Sequence, residues 1–161
     1  MRKIASILVL AALSAGPSWA AGGIGALFSS FLGYGVGNAV DKAVVENQAV
    51  EKALVRLADL VNKNMPMYPD KETRADNITA GPGKLLTFNY TMLAATAKNV
   101  SLEKIRVPKV FQETVKPQVC AMPDMQAFYK NGVTLIYSFR SVEGLPVAKM
   151  NLMPKDCGYA S

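Results

Sequence analysis

Apolar residues recur at Val40, Val44, Val50, Leu54, Leu57 and Val61, mostly three or four positions apart. Glu46, Glu51, Lys52, Arg56, Asp59 and Lys63 fall largely off that stripe. A period near 3.6 with charge on the far side predicts an amphipathic helix over 41–64, its stripe facing a core. Met65-Pro66 stops it, because the residue before proline avoids the helical region. The pattern then changes period. In 84–93, Leu86, Phe88, Tyr90 and Met92 alternate with Thr87, Asn89 and Thr91, the signature of a strand with one buried face. In 133–140, Val133, Leu135, Tyr137 and Phe139 alternate in the same way. Val142-Glu143-Gly144 is short enough to return the chain as an antiparallel hairpin into a strand over 146–153. Between these strands, 101–119 reads as a broken helix, capped by Ser101, restarted at Pro108 and ended at Pro117. A short helix follows over 123–130, with Asn131-Gly132 as its left-handed cap. The segment 65–83 (MPMYPDKETRADNITAGPG) carries three prolines and two glycines and is predicted to be a loop. The expected fold class is α+β: a long N-terminal helix on a small antiparallel sheet of about three strands, with short helices between strands.

The first forty residues follow another rule. Arg2 and Lys3 precede an apolar run from Ile4 to Ala15, Gly16-Pro17 breaks it, and Ser18-Trp19-Ala20 presents small residues. That layout is a secretory signal peptide over 1–20, with cleavage between Ala20 and Ala21. No cysteine follows the cut, so the ordinary signal peptidase is expected rather than lipid attachment. Residues 21–40 form a glycine-rich apolar segment without charge. Six glycines in twenty residues disfavour a helix by about 1 kcal/mol each relative to alanine, which favours a flexible or peripheral tether. Small residues four apart, as at Gly33 and Gly37, support a second reading as a membrane-associated helix; packing into the core is the third. Residues 41–161 are then a single domain.

Export changes the meaning of the two cysteines. Cys120 and Cys157 form an even pair in an oxidising compartment and are expected to be bonded. The closed loop of roughly 37 residues is worth about 3–4 kcal/mol in the chain-entropy model. The full chain carries a net charge of +6; loss of Arg2 and Lys3 leaves 16 basic against 12 acidic residues, a net +4. No basic run exists, so no nucleic-acid partner is expected. The chain has no histidine, which excludes Ser-His-Asp and Cys-His catalysis and removes the commonest metal ligand. No P-loop, dinucleotide fingerprint or HExxH motif is present. No catalytic residue, cofactor or metal is assigned.

The candidate site is the 65–83 loop, which holds the densest charge, with Asp70, Arg74 and Asp76 as its key residues. Either Arg74 pairs with Asp70 or Asp76 and pins the loop, or it offers its fork to a carboxylate or phosphate on a ligand. The acid spacing does not match a calcium loop. The combination LVNKNMPMYPDKETRAD, GPGKLLTFNYTML, NGVTLIYSF and PKDC resembles a group of small exported bacterial domains of uncharacterised function, over about Leu57 to Cys157. That resemblance implies an envelope or secreted setting and brings no activity or site residues. The expected function is a non-enzymatic interaction domain, periplasmic or secreted, with a protein partner and peripheral membrane contact through 21–40. The alternatives are a membrane-tethered accessory protein of an envelope machine, or a small inhibitor or immunity protein against an exported toxin.

Overall fold

The computed structural model describes residues 42–69 and 71–160. The signal peptide, the 21–40 segment and Asp70 lie outside the described residues. Helix α1 runs from Lys42 to Asn62 and buries Val50, Leu54, Leu57 and Val61 of the predicted stripe, together with Ala53 and Ala58. Strands β1 (Thr73–Gly81) and β2 (Leu85–Met92) follow. A helical crossover comprises α2 (Val100–Val110), α3 (Lys116–Ala121) and α4 (Gln126–Lys130). Strands β3 (Thr134–Ser141) and β4 (Pro146–Leu152) complete the sheet, whose spatial order is β1-β2-β3-β4.

The fold is α+β, but the sheet differs from the expectation in two ways. It has four strands rather than three, because β1 forms inside the segment predicted as a loop. Its prolines and outer glycines lie at or beyond the strand ends, and the nine residues between them extend. The sheet is also mixed rather than antiparallel. β1 pairs antiparallel with β2 and β3 with β4, whereas β2 and β3 run parallel. A parallel pair needs a crossover of a dozen or more residues, and the helices between β2 and β3 supply it. Within that crossover, Asn99 rather than Ser101 occupies the N-cap position, and Pro108 sits inside α2 instead of restarting it. The chain widens into a π turn over Phe111–Val115. Pro117 then opens α3 rather than ending a helix. At the close of α4, Gly132 takes a φ of +74°, which only glycine adopts without strain, as Asn131-Gly132 predicts.

One face of the sheet is the core. Its rows run across strands: Ile78, Phe88, Tyr137 and Met150 in one, and Tyr90, Phe139 and Ala148 in the next. Phe88 stacks on Tyr137 at 5.3 Å and Tyr90 on Phe139 at 5.1 Å, each pair adding about 0.5–1.5 kcal/mol beyond burial. Phe111 of the π turn meets Tyr137 at 5.1 Å, which docks the crossover on this face. Helix α1 packs on β1 and β2, and α2 on β4. The Cys120–Cys157 disulfide ties α3 to the 3₁₀ turn Pro154–Cys157, with 5.1 Å between the α-carbons.

The outer edge of β1 is blunted. Met67 exchanges backbone hydrogen bonds with Ala75, its N–H donating at 2.9 Å and its carbonyl accepting at 2.8 Å. The Asn62 side chain does the same for Ile78: its Nδ2 donates to the Ile78 carbonyl, and its Oδ1 accepts from the Ile78 N–H, both at 2.8 Å. An amide at the end of α1 thus stands in for a fifth strand. An exposed edge would otherwise invite pairing with another chain.

Candidate functional site

The second face of the sheet carries the odd members of the same alternation. Asn77, Asn89, Ser138 and Lys149 form one cross-strand row, and Thr79, Thr87, Ile136 and Asn151 the row beside it. Arg74, Thr91 and Arg140 form a third. Ile136 stands apart from the core cluster, and most of its neighbours on this face are half-buried or exposed. This face is therefore polar and open, while the other lies under helices.

Two irregularities shape it at the same level. The register of β1 against β2 shifts between Ala75 and Asn77, leaving Asp76 as the extra residue. The register of β3 against β4 shifts between Phe139 and Arg140, where Val147 is extra. Bulges re-aim side chains and bend strands. Here Asp76 turns onto the open face, into reach of β2 and β3. Its Oδ1 accepts from Arg74 Nε at 2.6 Å. Its Oδ2 accepts from the Thr91 hydroxyl at 2.6 Å and from Arg140 Nη2 at 3.1 Å. Thr91 Oγ1 in turn accepts from Arg140 Nε at 3.2 Å. One carboxylate thus ties three strands together. Its side chain is 8% exposed, against 34% for Arg74 and 49% for Arg140. Burial alone would raise the Asp76 carboxyl. The hydrogen bonds from Thr91, Arg74 and Arg140 outweigh that and hold it below the ordinary carboxylate range.

Beside this network lies a cleft of about 530 Å³. It is lined by Asn89, Tyr90, Ser138, Phe139, Val147, Ala148 and Lys149 of β2, β3 and β4, by Arg140, Gly144 and Pro146 at the hairpin end, and by Lys104 of α2. No acidic side chain lines it. The acids of nearby segments are engaged: Glu103 holds Arg106 at 2.7 Å, and Glu143 accepts from the Ser141 hydroxyl at 3.0 Å. No group of three or more His, Cys, Asp or Glu side chains among the described residues could hold a metal ion. Among the described residues no helix is long and apolar enough to cross a membrane.

Arg74 and Asp76 sit on a strand rather than a loop and pair with each other; Asp70 lies outside the described residues. Sequence spacing did not bring in Thr91 and Arg140, which are 15 and 64 residues from Asp76. The signal that could have found them is register. Once Tyr90 is set beside Phe139 on the core face, Thr91 and Arg140 are neighbours on the other. The Thr91 hydroxyl donates to the Asp76 carboxylate, but that carboxyl is held low and is a weak base; the arrangement can bind through charge and hydrogen bonds.

No family model and no curated protein matches the chain. Solved structures do. A protein of Pseudomonas aeruginosa assigned as secreted is similar at a TM-score of 0.59 and 17% identity, over 75% of this chain and 99% of its own. The type II secretion system pilotin AspS from Vibrio cholerae is similar at 0.50 and 15% identity, over 70% and 95%. The pilotin EpsS of the Vibrio vulnificus type 2 secretion system is similar at 0.48 and 10% identity, over 71% and 97%. At these identities the first two show a shared fold.

Proposed function

We propose that this chain is an exported, non-enzymatic binding domain of the bacterial envelope, an accessory of a secretion machine that holds a protein component through the open face of its sheet. The observation that carries the reading is that open face. Four strands, two bulges and a buried carboxylate organise a surface that helix α2 borders at Lys104 and that is otherwise mostly half-buried or exposed. A face left merely to solvent would not need Asp76 ordered by three donors. The signal-peptide layout of residues 1–20 supports a setting outside the cytoplasm, and the disulfide suits that compartment. The fold shared with a secretion pilotin and with a protein assigned as secreted supports the setting. The missing histidine supports binding over catalysis. Residues 21–40 act as the tether that keeps the domain near the membrane.

The test is affinity capture from native envelope, with captured proteins identified by mass spectrometry. Ser138→Trp fills the open face without touching the core, and Gln118→Trp is an exposed control on α3. The account expects a secretion-machine component to be captured by the wild type and by Gln118→Trp and lost with Ser138→Trp. Equal capture by both variants would contradict it. Fractionation with N-terminal sequencing tests the tether: a mature chain beginning at Ala21 and wholly in the soluble fraction would remove it.

A further inference from the structure

We infer that the cleft between β2, β3, β4 and α2 takes an acidic polypeptide segment, an extended or helical stretch with repeated Asp or Glu, whose carboxylates are bound by Lys104, Lys149 and Arg140. The inference rests on the reading above that the open face binds a protein, and it names the chemistry of the bound segment.

Three observations carry it. The first is charge. The cleft is lined by Lys104, Arg140 and Lys149 and by no acid. With Arg74 included, the open face around it carries four cations against Asp76, a net of +3 among the described residues. Asp76 is nearly buried and already shared between two arginines, so it screens little of that field outward. Among the described residues, Lys104 and Lys149 have no hydrogen-bond or ion-pair partner. Unpaired cations over a low-dielectric floor make a concave site attractive to anions.

The second is spacing. The cations come from three elements and not from one backbone cradle of the kind that holds a phosphate. They stand on separate elements: Arg140 on β3, Lys149 on β4 and Lys104 on α2. Lys149 pairs with Ser138, two residues along β3 from Arg140, so strand geometry sets the backbones of these two cations roughly 8 Å apart. Alternate side chains of an extended segment are about 6.7 Å apart, and helix positions i and i+4 about 6 Å. A line of carboxylates on a polypeptide therefore matches the Arg140–Lys149 spacing.

The third is the lining. Asn89 and Ser138 supply polar groups beside the apolar surface of Tyr90, Phe139 and Val147, a mixed lining that suits a polypeptide. The large exposed apolar side chains of α2, Leu102 and Ile105, do not line the cleft. A lipid surface would need such side chains at the same place to take acyl chains.

The experiment is a titration of the ¹⁵N-labelled mature domain with deca-glutamate, read by amide shifts, with deca-lysine and phosphatidylglycerol vesicles as parallel arms. The expected result is saturable shifts at Asn89, Lys104, Ser138 and Lys149, absent with deca-lysine and weakened by added salt. Lys104→Glu/Lys149→Glu should weaken deca-glutamate binding by about tenfold or more. Lys63→Glu/Lys130→Glu, which removes exposed lysines outside the cleft, should leave it within about twofold. Unchanged amide shifts away from the substitutions verify that both variants fold. Equal weakening by both double variants, shifts spread over all surface lysines, or vesicle binding at the cleft without deca-glutamate binding would overturn the inference. Failure here leaves the broader reading standing if Ser138→Trp still abolishes capture. Loss of that reading instead shows as capture indifferent to Ser138→Trp.

Discussion

The two faces of this sheet are built from the same strands with opposite economies. On the helix-covered face, stabilisation comes from area. Leu86, Leu135, Tyr137 and Leu152 have no exposed surface, and each buried leucine is worth about 2–3 kcal/mol. On the open face, Thr87, Asn89 and Ser138 are half-buried polar residues whose removal leaves no cavity. Stability there rests on one carboxylate and its three donors. The contrast teaches which side of the molecule is free to change with a partner. The covered face must keep its shape for the domain to fold, whereas the open face has its charges set by two bulges and its identity set by little else.

The largest expected break of this contrast is a cavity. Leu86→Ala on the covered face should cost about 3–4 kcal/mol, whereas Thr87→Ala one residue along should stay within about 0.5 kcal/mol by urea unfolding. Similar losses at both positions would end the distinction. Next comes the staple on the crossover. Unreduced digests should show the Cys120 and Cys157 peptides joined, and reduction should cost about 3 kcal/mol; two free thiols would refute it. Asn62→Ala should cost about 2 kcal/mol, since it strips two hydrogen bonds from the β1 edge at Ile78. It should also promote association detectable by light scattering, and a strictly monomeric variant would show that the edge needs no cover. The smallest effect belongs to the open face. Asp76→Asn should cost about 1 kcal/mol, reduced by the exposure of both arginines. Because the Asp76 carboxyl titrates below the ordinary value of 3.8 when folded, its contribution is complete above that value. It is lost as pH falls through the depressed one. Wild type and Asp76→Asn should therefore differ at neutral pH and converge in acid; a constant difference down to low pH would remove the network's role.

The core face was legible in the sequence because its alternation is strong. Leu86, Phe88, Tyr90 and Met92 on one strand and Leu135, Tyr137 and Phe139 on another leave no choice of face. The helix stripe from Val50 to Val61 was equally plain. β1 was not legible, since Ile78 is its one large buried apolar residue. The bulge at Asp76 also breaks its period, and its flanks hold the prolines and glycines of a loop. The parallel pairing was missed although it was implicit in the length of chain between β2 and β3, which a hairpin does not need. At the site, the Arg74–Asp76 pair was among the expected pairings because the residues are two apart. Thr91, Arg140 and the lysines of the cleft were invisible, because only strand register and the docking of α2 on β4 bring them together.

The central claim is that the open face is the surface that meets another protein. A photoreactive phenylalanine analogue at Asn89, with the same analogue at Gln118 as the control, measures this directly in intact cells. The account predicts a discrete crosslinked product from Asn89, containing a secretion-machine component, and none from Gln118. Crosslinks from Gln118 alone, or identical products from both positions, would contradict it.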